Sequence, residues 1–199
     1  MLKSNYIKYA FTLAIICLAA SGLLSVVFNL TQPKILYQKM LEEESSLKDV
    51  LPEAANFEPV KEGQETAYYR AADKDGKVIG YAFKASKKGY SSDIATMVGV
   101  DTEGVITHIK VLSQNETPGL GTKIVEVIQK ETFWDIVVKR VKPGQPPAPW
   151  FQKQFDGKKA VALSGSIDVI TGATVSSRAV IDSIQDKAKQ IMEKVKYGQ

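Results

Sequence analysis

From Tyr9 to Pro33 the chain carries no charged residue, and Lys8 and Lys34 bracket the run. As a helix rising ~1.5 Å per residue, a run of that length exceeds the ~30 Å hydrocarbon core of a bilayer. A cleaved signal peptide is the competing reading, with Ala19-Ala20-Ser21 as its small-residue site. Against it, Leu23-Leu24-Ser25-Val26-Val27-Phe28 extends the apolar run well past that point. Residues 9–33 are therefore read as a retained transmembrane anchor. Charge does not orient it, because Lys3 and Lys8 precede the span while Lys34 and Lys39 follow it.

Residues 34–52 read as a connecting helix. Leu36, Met40, Leu47 and Leu51 fall on one side, Glu42-Glu43-Glu44 form a solvated face on the other, and Pro52 ends it. Residues 53–199 remain for one globular domain. With 24% charged and 44% hydrophobic residues the chain has the composition of a folded protein. Its net charge of +4 is mild, its lysines mostly face acids, as in Asp73-Lys74-Asp75, and no basic stripe is interleaved with aromatics, so nucleic acid is not expected as a partner. One Cys and one His exclude an intrachain disulfide and a zinc or iron–sulfur site built from those residues. Cys17 reads as a buried apolar residue of the leader. His108 lies in the alternating run Val105–Val111, on the face of Ile106 and Lys110 and opposite Val105, Ile109 and Val111, and reads as a structural strand residue.

Thr66–Ala72 and Lys77–Lys84 flank Asp75-Gly76, a hairpin signal. Ser91–Val100 and Val105–Leu112 flank Asp101-Thr102-Glu103-Gly104, a second turn. Short links imply antiparallel pairing, and helices before and after the sheet give an α+β domain.

Asn115-Glu116-Thr117-Pro118-Gly119-Leu120-Gly121 leaves the last of these strands and enters an expected helix, Thr122–Lys130. Pro118-Gly119 suits the centre of a type II turn, and Gly121 permits close backbone approach. The segment lacks the spacing of a P-loop and the third glycine of a dinucleotide fingerprint, so nucleotide hydrolysis and direct NAD binding are unsupported. Lys142–Pro149 is a proline-rich connector, and Trp134, Trp150 and Phe155 are core candidates, one of which could border a ligand. Lys159–Ser164 reads as a further strand.

Asp168–Ser177, D-V-I-T-G-A-T-V-S-S, opens the last helix, whose apolar positions Val180, Ile184, Ala188, Ile191 and Val195 recur at three- and four-residue steps. Thr174 sits at the helix start, among free backbone N–H groups and the positive end of the dipole, which makes an anion pocket. Ser176 and Ser177 lie close by, and Arg178 adds a positive charge one turn on. A plain N-cap at Thr174 or Ser176 is the simpler reading. By average residue usage, however, D-x-x-[ST]-G-A-T arises by chance in roughly one chain of this length in two to three thousand.

That motif resembles the flavinylation signature of FMN-binding domains in the G subunit of Rnf electron-transport complexes and the C subunit of Na⁺-translocating NADH:quinone reductases. Glu116–Gly121 resembles the E-T-P-G-L-G stretch of the same family. The resemblance runs from about Gly80 to Ser177, and the anchor agrees with it. It implies covalent FMN, joined as a phosphoester to Thr174 by a dedicated flavin transferase that reads Asp168 and the Gly172-Ala173 pair, with Thr171 filling the preceding position. It further implies that Thr117, Gly119, Leu120 and Gly121 border the flavin ring, with Glu116 near its rim. By this resemblance residues 1–8 are cytoplasmic and the domain lies outside the cytoplasmic membrane. The chain would relay electrons among the other membrane subunits of an ion-translocating ferredoxin:NAD oxidoreductase, without turnover of its own. Its short length favours the G subunit over the C subunit. An envelope reductase and a non-redox binding module are the alternatives from other classes.

Overall fold

The computed structural model of the chain describes residues 2–63, 65–126 and 149–197. Two compact units divide it, Met1–Glu42 and Glu43–Gln199. Helix α1, Leu2–Val50, runs without a break through Pro33 and is long and apolar enough to cross a membrane; the first unit holds it as far as Glu42 and the second unit holds its end. In the first unit its large apolar side chains are exposed, including Phe11, Leu18, Leu24 and Phe28. Cys17 is exposed with them rather than buried, because no second element packs on this stretch among the described residues.

In the second unit five strands form an antiparallel meander in the order β1-β2-β3-β4-β5. They are β1 Asn56–Glu62, β2 Glu65–Ala72, β3 Val78–Lys88, β4 Asp93–Asp101 and β5 Ile106–Ser113. A single helical turn α2, Trp150–Lys153, and the long helix α3, Thr174–Tyr197, follow. The domain is α+β, as expected from its alternating strands and terminal helices.

Alternation along the strands builds two cores, one on each face of the sheet. On one face Phe83, Ile94, Val98, Val100 and Ile106 meet Val180, Ile184, Ala188 and Ile191 of α3, with Phe151 and Phe155 from the α2 segment. The apolar period of α3 is thus the buried stripe that its spacing predicts. On the other face Ala71, Ala82 and Met97 are covered by Leu47, Val50 and Leu51 at the end of α1.

The end of α1 is held to the sheet by polar contacts as well. Glu43 is not a purely solvated residue: its Oε2 accepts from Lys84 at 3.1 Å and its Oε1 from the Tyr69 hydroxyl at 3.4 Å. Lys110 donates to Asp49 at 2.6 Å. The Thr107 hydroxyl donates to the Val50 carbonyl at 2.6 Å, satisfying an acceptor that the helix end leaves free.

Thr107 can do this because it is the extra residue of a β-bulge. Gly99 pairs with His108 and Val100 with Ile106, so Thr107 has no partner on β4. The bulge also revises the alternation expected for this strand. Ile106 joins the same core as Ile109 and Val111 instead of facing away from them. His108 is left exposed, with its Nδ1 3.1 Å from Asp156 Oδ2, in the structural strand position expected for it.

Three other elements differ from expectation. β1 was not anticipated: Asn-Phe-Glu-Pro-Val-Lys-Glu has few apolar residues because it is an edge strand, where Pro59 is tolerated. Lys159–Ser164 is not a strand. It makes one isolated bridge, Val105 with Lys159, and then turns away as Gln185 of α3 accepts from the Leu163 and Ser164 N–H groups at 3.1 Å each. Gly121–Ile124 is a 3₁₀ turn. Val125 and Glu126 follow it without helix, and residues 127–130 of the expected helix, Trp134 and residues 142–148 of the proline-rich connector lie outside the described residues.

The α1 end should therefore be required for folding. Burial of Leu47, Val50 and Leu51 contributes about 5–9 kcal/mol at about 1.5–3 kcal/mol per side chain, comparable to the whole stability of a typical domain. A fragment 43–199 is expected to unfold cooperatively in urea. A fragment beginning at Glu53 should show no cooperative transition.

Candidate functional site

Two tight turns of the same kind face each other across a cleft. In Thr117-Pro118-Gly119-Leu120 the Leu120 N–H bonds the Thr117 carbonyl at 3.2 Å, and Gly119 has φ of 75°. In Ile170-Thr171-Gly172-Ala173 the Ala173 N–H bonds the Ile170 carbonyl at 2.9 Å, and Gly172 has φ of 82°. A positive φ at the third position is the type II turn, which selects glycine there. The Leu120 side chain lies over Gly172, where an added Cβ would come within 3.3 Å of its Cδ2.

α3 begins directly after the second turn, with Thr174 as its first helical residue. Of the two hydroxyls expected to cap it, Thr174 and Ser176, the second is engaged elsewhere, and so is that of Ser177. Ser177 Oγ is buried and accepts from the Ile170 N–H at 3.1 Å, fastening the turn to the helix. Ser176 Oγ donates to Glu116 Oε2 at 2.6 Å. Among the described residues no side chain accepts from the N–H groups that open α3. Thr174 is exposed, and its hydroxyl makes no hydrogen bond among the described residues.

Glu116 joins the two sides. It is only 4% exposed. Its Oε1 accepts from the Ser91 N–H at 3.1 Å, the Ser92 N–H at 3.0 Å and the Ser92 hydroxyl at 3.3 Å. Its Oε2 accepts from the Tyr90 N–H at 3.1 Å besides the Ser176 hydroxyl. Burial pushes the Glu116 carboxyl up, but the Ser176 hydroxyl and the Ser92, Ser91 and Tyr90 N–H groups together outweigh it and hold the group below the ordinary glutamate range. Three consecutive N–H groups in the β3–β4 connection form a small anion-binding nest, and Glu116 occupies it. Gly121 must be small for this to close: an added Cβ would lie 2.6 Å from Glu116 Cβ and 2.8 Å from Ser176 Oγ.

The resulting cleft has a volume of about 490 Å³ and is lined by Tyr90, by Glu116, Thr117, Leu120 and Gly121, and by Gly172 to Ser176. It unites the two sequence motifs. Gly119 and Thr171 form the turns beside it, and Ser177 lies buried beneath it. Asp168 and Arg178 are exposed outside the lining. The Asp168 backbone is clasped by Gln154, whose Oε1 accepts from the Asp168 N–H at 2.9 Å. Glu116 lines the cleft with both of its oxygens committed to the nest and to Ser176. Phe155 is fully buried, and Trp150 packs partly buried in an edge-to-face array with Phe151, so neither borders the cleft. Tyr90 and Val175 line it and were not expected. The only sequence signal for Tyr90 is an aromatic placed beside Gly89 in a turn.

The donor set suits a flavin phosphate. An open helix start with a free hydroxyl offers an anion site, and the apolar walls of Leu120, Val175 and Tyr90 sit next to it, within the size range of small-ligand pockets. Residues 89–189, which contain every residue lining the cleft, match the FMN-binding domain family. Residues 1–50 match the family described as the RnfG N-terminal region. The chain is 32% identical to the G subunit of the ion-translocating oxidoreductase complex of Aliivibrio fischeri, covering 89% of this chain and 86% of that protein. It is 29% identical to the protein of the same name from Methanosarcina acetivorans, covering 89% of each. It is 27% identical to the G subunit of the proton-translocating ferredoxin:NAD(+) oxidoreductase complex of Clostridium ljungdahlii, covering 90% of this chain and 88% of that one. The chain belongs to the G-subunit family of ion-translocating oxidoreductase complexes, and its domain is an FMN-binding domain.

The pH dependence of stability follows from Glu116. A depressed carboxyl stabilises the fold above its ordinary value of 4.5, and that contribution is lost as the pH falls through the lower folded value. Glu116→Gln, which keeps the shape and loses the charge, is expected to destabilise fragment 43–199 at neutral pH by about 1.5–3 kcal/mol. Urea unfolding across pH should show the gap between variant and parent closing below the ordinary glutamate range.

Proposed function

We propose that this chain is a membrane-anchored flavoprotein subunit, with FMN joined through its phosphate to Thr174, that relays electrons within a ferredoxin:NAD oxidoreductase complex of the Rnf type. Membership of the G-subunit family and the FMN-binding domain support the coarser part directly: a subunit of an ion-translocating oxidoreductase complex. The single observation that carries the finer part is the unbonded Thr174 hydroxyl at the first position of α3, on the wall of an apolar cleft.

FMN supplies redox chemistry that side chains lack. The chain's own residues would bind and orient it. The free N–H groups at the start of α3 hold a phosphate, and the dipole favours its charge. Leu120, Val175 and Thr117 offer walls for the ring, while Ser176, Ser177 and Glu116 fix the positions of those walls. Arg178, exposed one turn along α3, adds positive charge near the same helix end. Asp168, Thr171 and Gly172 are accessible to a flavin transferase, whereas Ala173 is buried in the core beneath them.

A phosphoester keeps the cofactor in place without dependence on a dissociation constant, which suits a domain facing away from the cytoplasm. We place the domain there, with residues 1–8 cytoplasmic, 9–33 as a single span and the compact unit Glu43–Gln199 outside, ten residues before the boundary expected at residue 53. The Clostridium ljungdahlii relative is named for ferredoxin:NAD(+) oxidoreduction, which favours those electron partners. The buried Glu116 carboxylate in the cleft lining accepts from five donors that commit both of its oxygens to holding the cleft together, which favours relay over independent turnover.

The test is intact mass of the full-length chain, co-expressed with a flavin transferase and denatured. A gain equal to FMN less water is expected, and Thr174→Ala should abolish it while changing stability by less than about 0.5 kcal/mol, because the exposed Thr174 hydroxyl makes no hydrogen bond among the described residues. An unmodified parent mass from folded, transferase-exposed protein would refute covalent attachment.

A further inference from the structure

Outside α1, four large apolar side chains are exposed among the described residues: Tyr90 at 73%, Val175 at 53%, Leu120 at 46% and Val169 at 41%. Singly exposed apolar residues are ordinary on a protein surface. Here three of the four line one cleft, and they come from three separate segments: the β3–β4 connection, the Thr117–Leu120 turn and the first turn of α3. Such convergence in a concavity beside an anion-binding helix start marks a ligand wall rather than chance exposure. Among the described residues Tyr90 is the only aromatic in that lining.

The Tyr90 backbone is fixed while its ring is not. Its N–H and those of Ser91 and Ser92 all donate to the buried Glu116 carboxylate, and the Gly89 N–H bonds the Ser92 carbonyl at 2.8 Å. The ring makes no hydrogen bond or aromatic contact among the described residues. An aromatic side chain anchored in this way offers a large flat surface whose placement against a ligand fixes only two torsions.

We propose that Tyr90 is the ring-stacking residue of this cleft, covering one face of a flavin whose phosphate is held at the start of α3. Glu116 is then a positioning residue, holding the Tyr90 turn at a set distance from α3 through Ser176. The inference rests on the reading that the cleft holds FMN, and it adds a residue that neither sequence motif contains.

The test uses the full-length chain, co-expressed with the flavin transferase and purified in detergent, as parent, Tyr90→Phe and Tyr90→Ala. Intact mass reports attachment, and flavin fluorescence yield and anisotropy report stacking. A tyrosine in van der Waals contact quenches flavin emission by donating an electron to the excited ring, and the electron returns on relaxation; phenylalanine stacks without donating. The expected result is a several-fold rise in yield for both variants, with anisotropy retained in Tyr90→Phe and reduced in Tyr90→Ala. Equal yield and anisotropy in the parent and Tyr90→Ala would overturn the proposal.

If the parent carries no covalent flavin, that result counts against the Thr174 attachment alone. Tyr90 is then tested on the same chain by titration with free FMN. Stacking predicts binding about tenfold weaker in Tyr90→Ala, within the range found when a flat heterocycle loses its aromatic partner. An unchanged affinity, or no binding by the parent, would overturn it.

Discussion

The site depends on one buried carboxylate. Glu116 takes five donors from two distant parts of the chain and so turns three separate loops into one rigid cradle. Its cost of desolvation is met only while those donors stay in place, which makes the arrangement all-or-none. The bond to Ser176 has a second effect. It removes Ser176 as a candidate cap of α3, while the neighbouring Ser177 accepts from the Ile170 N–H. A helix start that could have been closed by its own side chains is left open, with the Thr174 hydroxyl beside it. The capping energy forgone there, about 1 kcal/mol, is the cost of keeping an anion site available.

The cradle can be rigid because the sheet behind it is packed on both faces. α3 covers one side and the end of α1 covers the other. The bulge at Thr107 links these layers, since it turns Ile106 into the α3 core and sends the Thr107 hydroxyl to the last carbonyl of α1. The residues from Glu43 to Val50 therefore belong to the domain core as much as to a helix that began as an apolar span.

What could be read from the sequence follows from where the information is local. Gly119 and Gly172 announce their turns because a positive φ is a property of one residue, and the α3 stripe is visible because its period is regular. The helix start at Thr174 falls where the small-residue turn ends. The role of Glu116 was not legible, because its partners are 24 to 60 residues away and three of them are backbone N–H groups that no side-chain pattern reports. The Ile106 face was misjudged for a related reason: strict alternation cannot show a bulge, which depends on the register with β4. β1 escaped notice because an edge strand needs little apolar surface, and Lys159–Ser164 resembled a strand until Gln185 of α3 claimed its backbone. Tyr90 lacked any periodic context, and only its exposure beside Leu120 and Val175 gave it meaning.

The central claim is that the open start of α3 holds the cofactor through Thr174. It is tested most directly by tryptic digestion of the transferase-matured chain and fragmentation of the peptide Ala160–Arg178, which carries Thr171, Thr174, Ser176 and Ser177 together. The account predicts the flavin phosphate on Thr174, with the other hydroxyls unmodified. Flavin on Thr171, on Ser176, on Ser177 or on another peptide would contradict it, since Ser176 and Ser177 are committed to the contacts that build the cradle and Thr171 lies in the turn before the helix start.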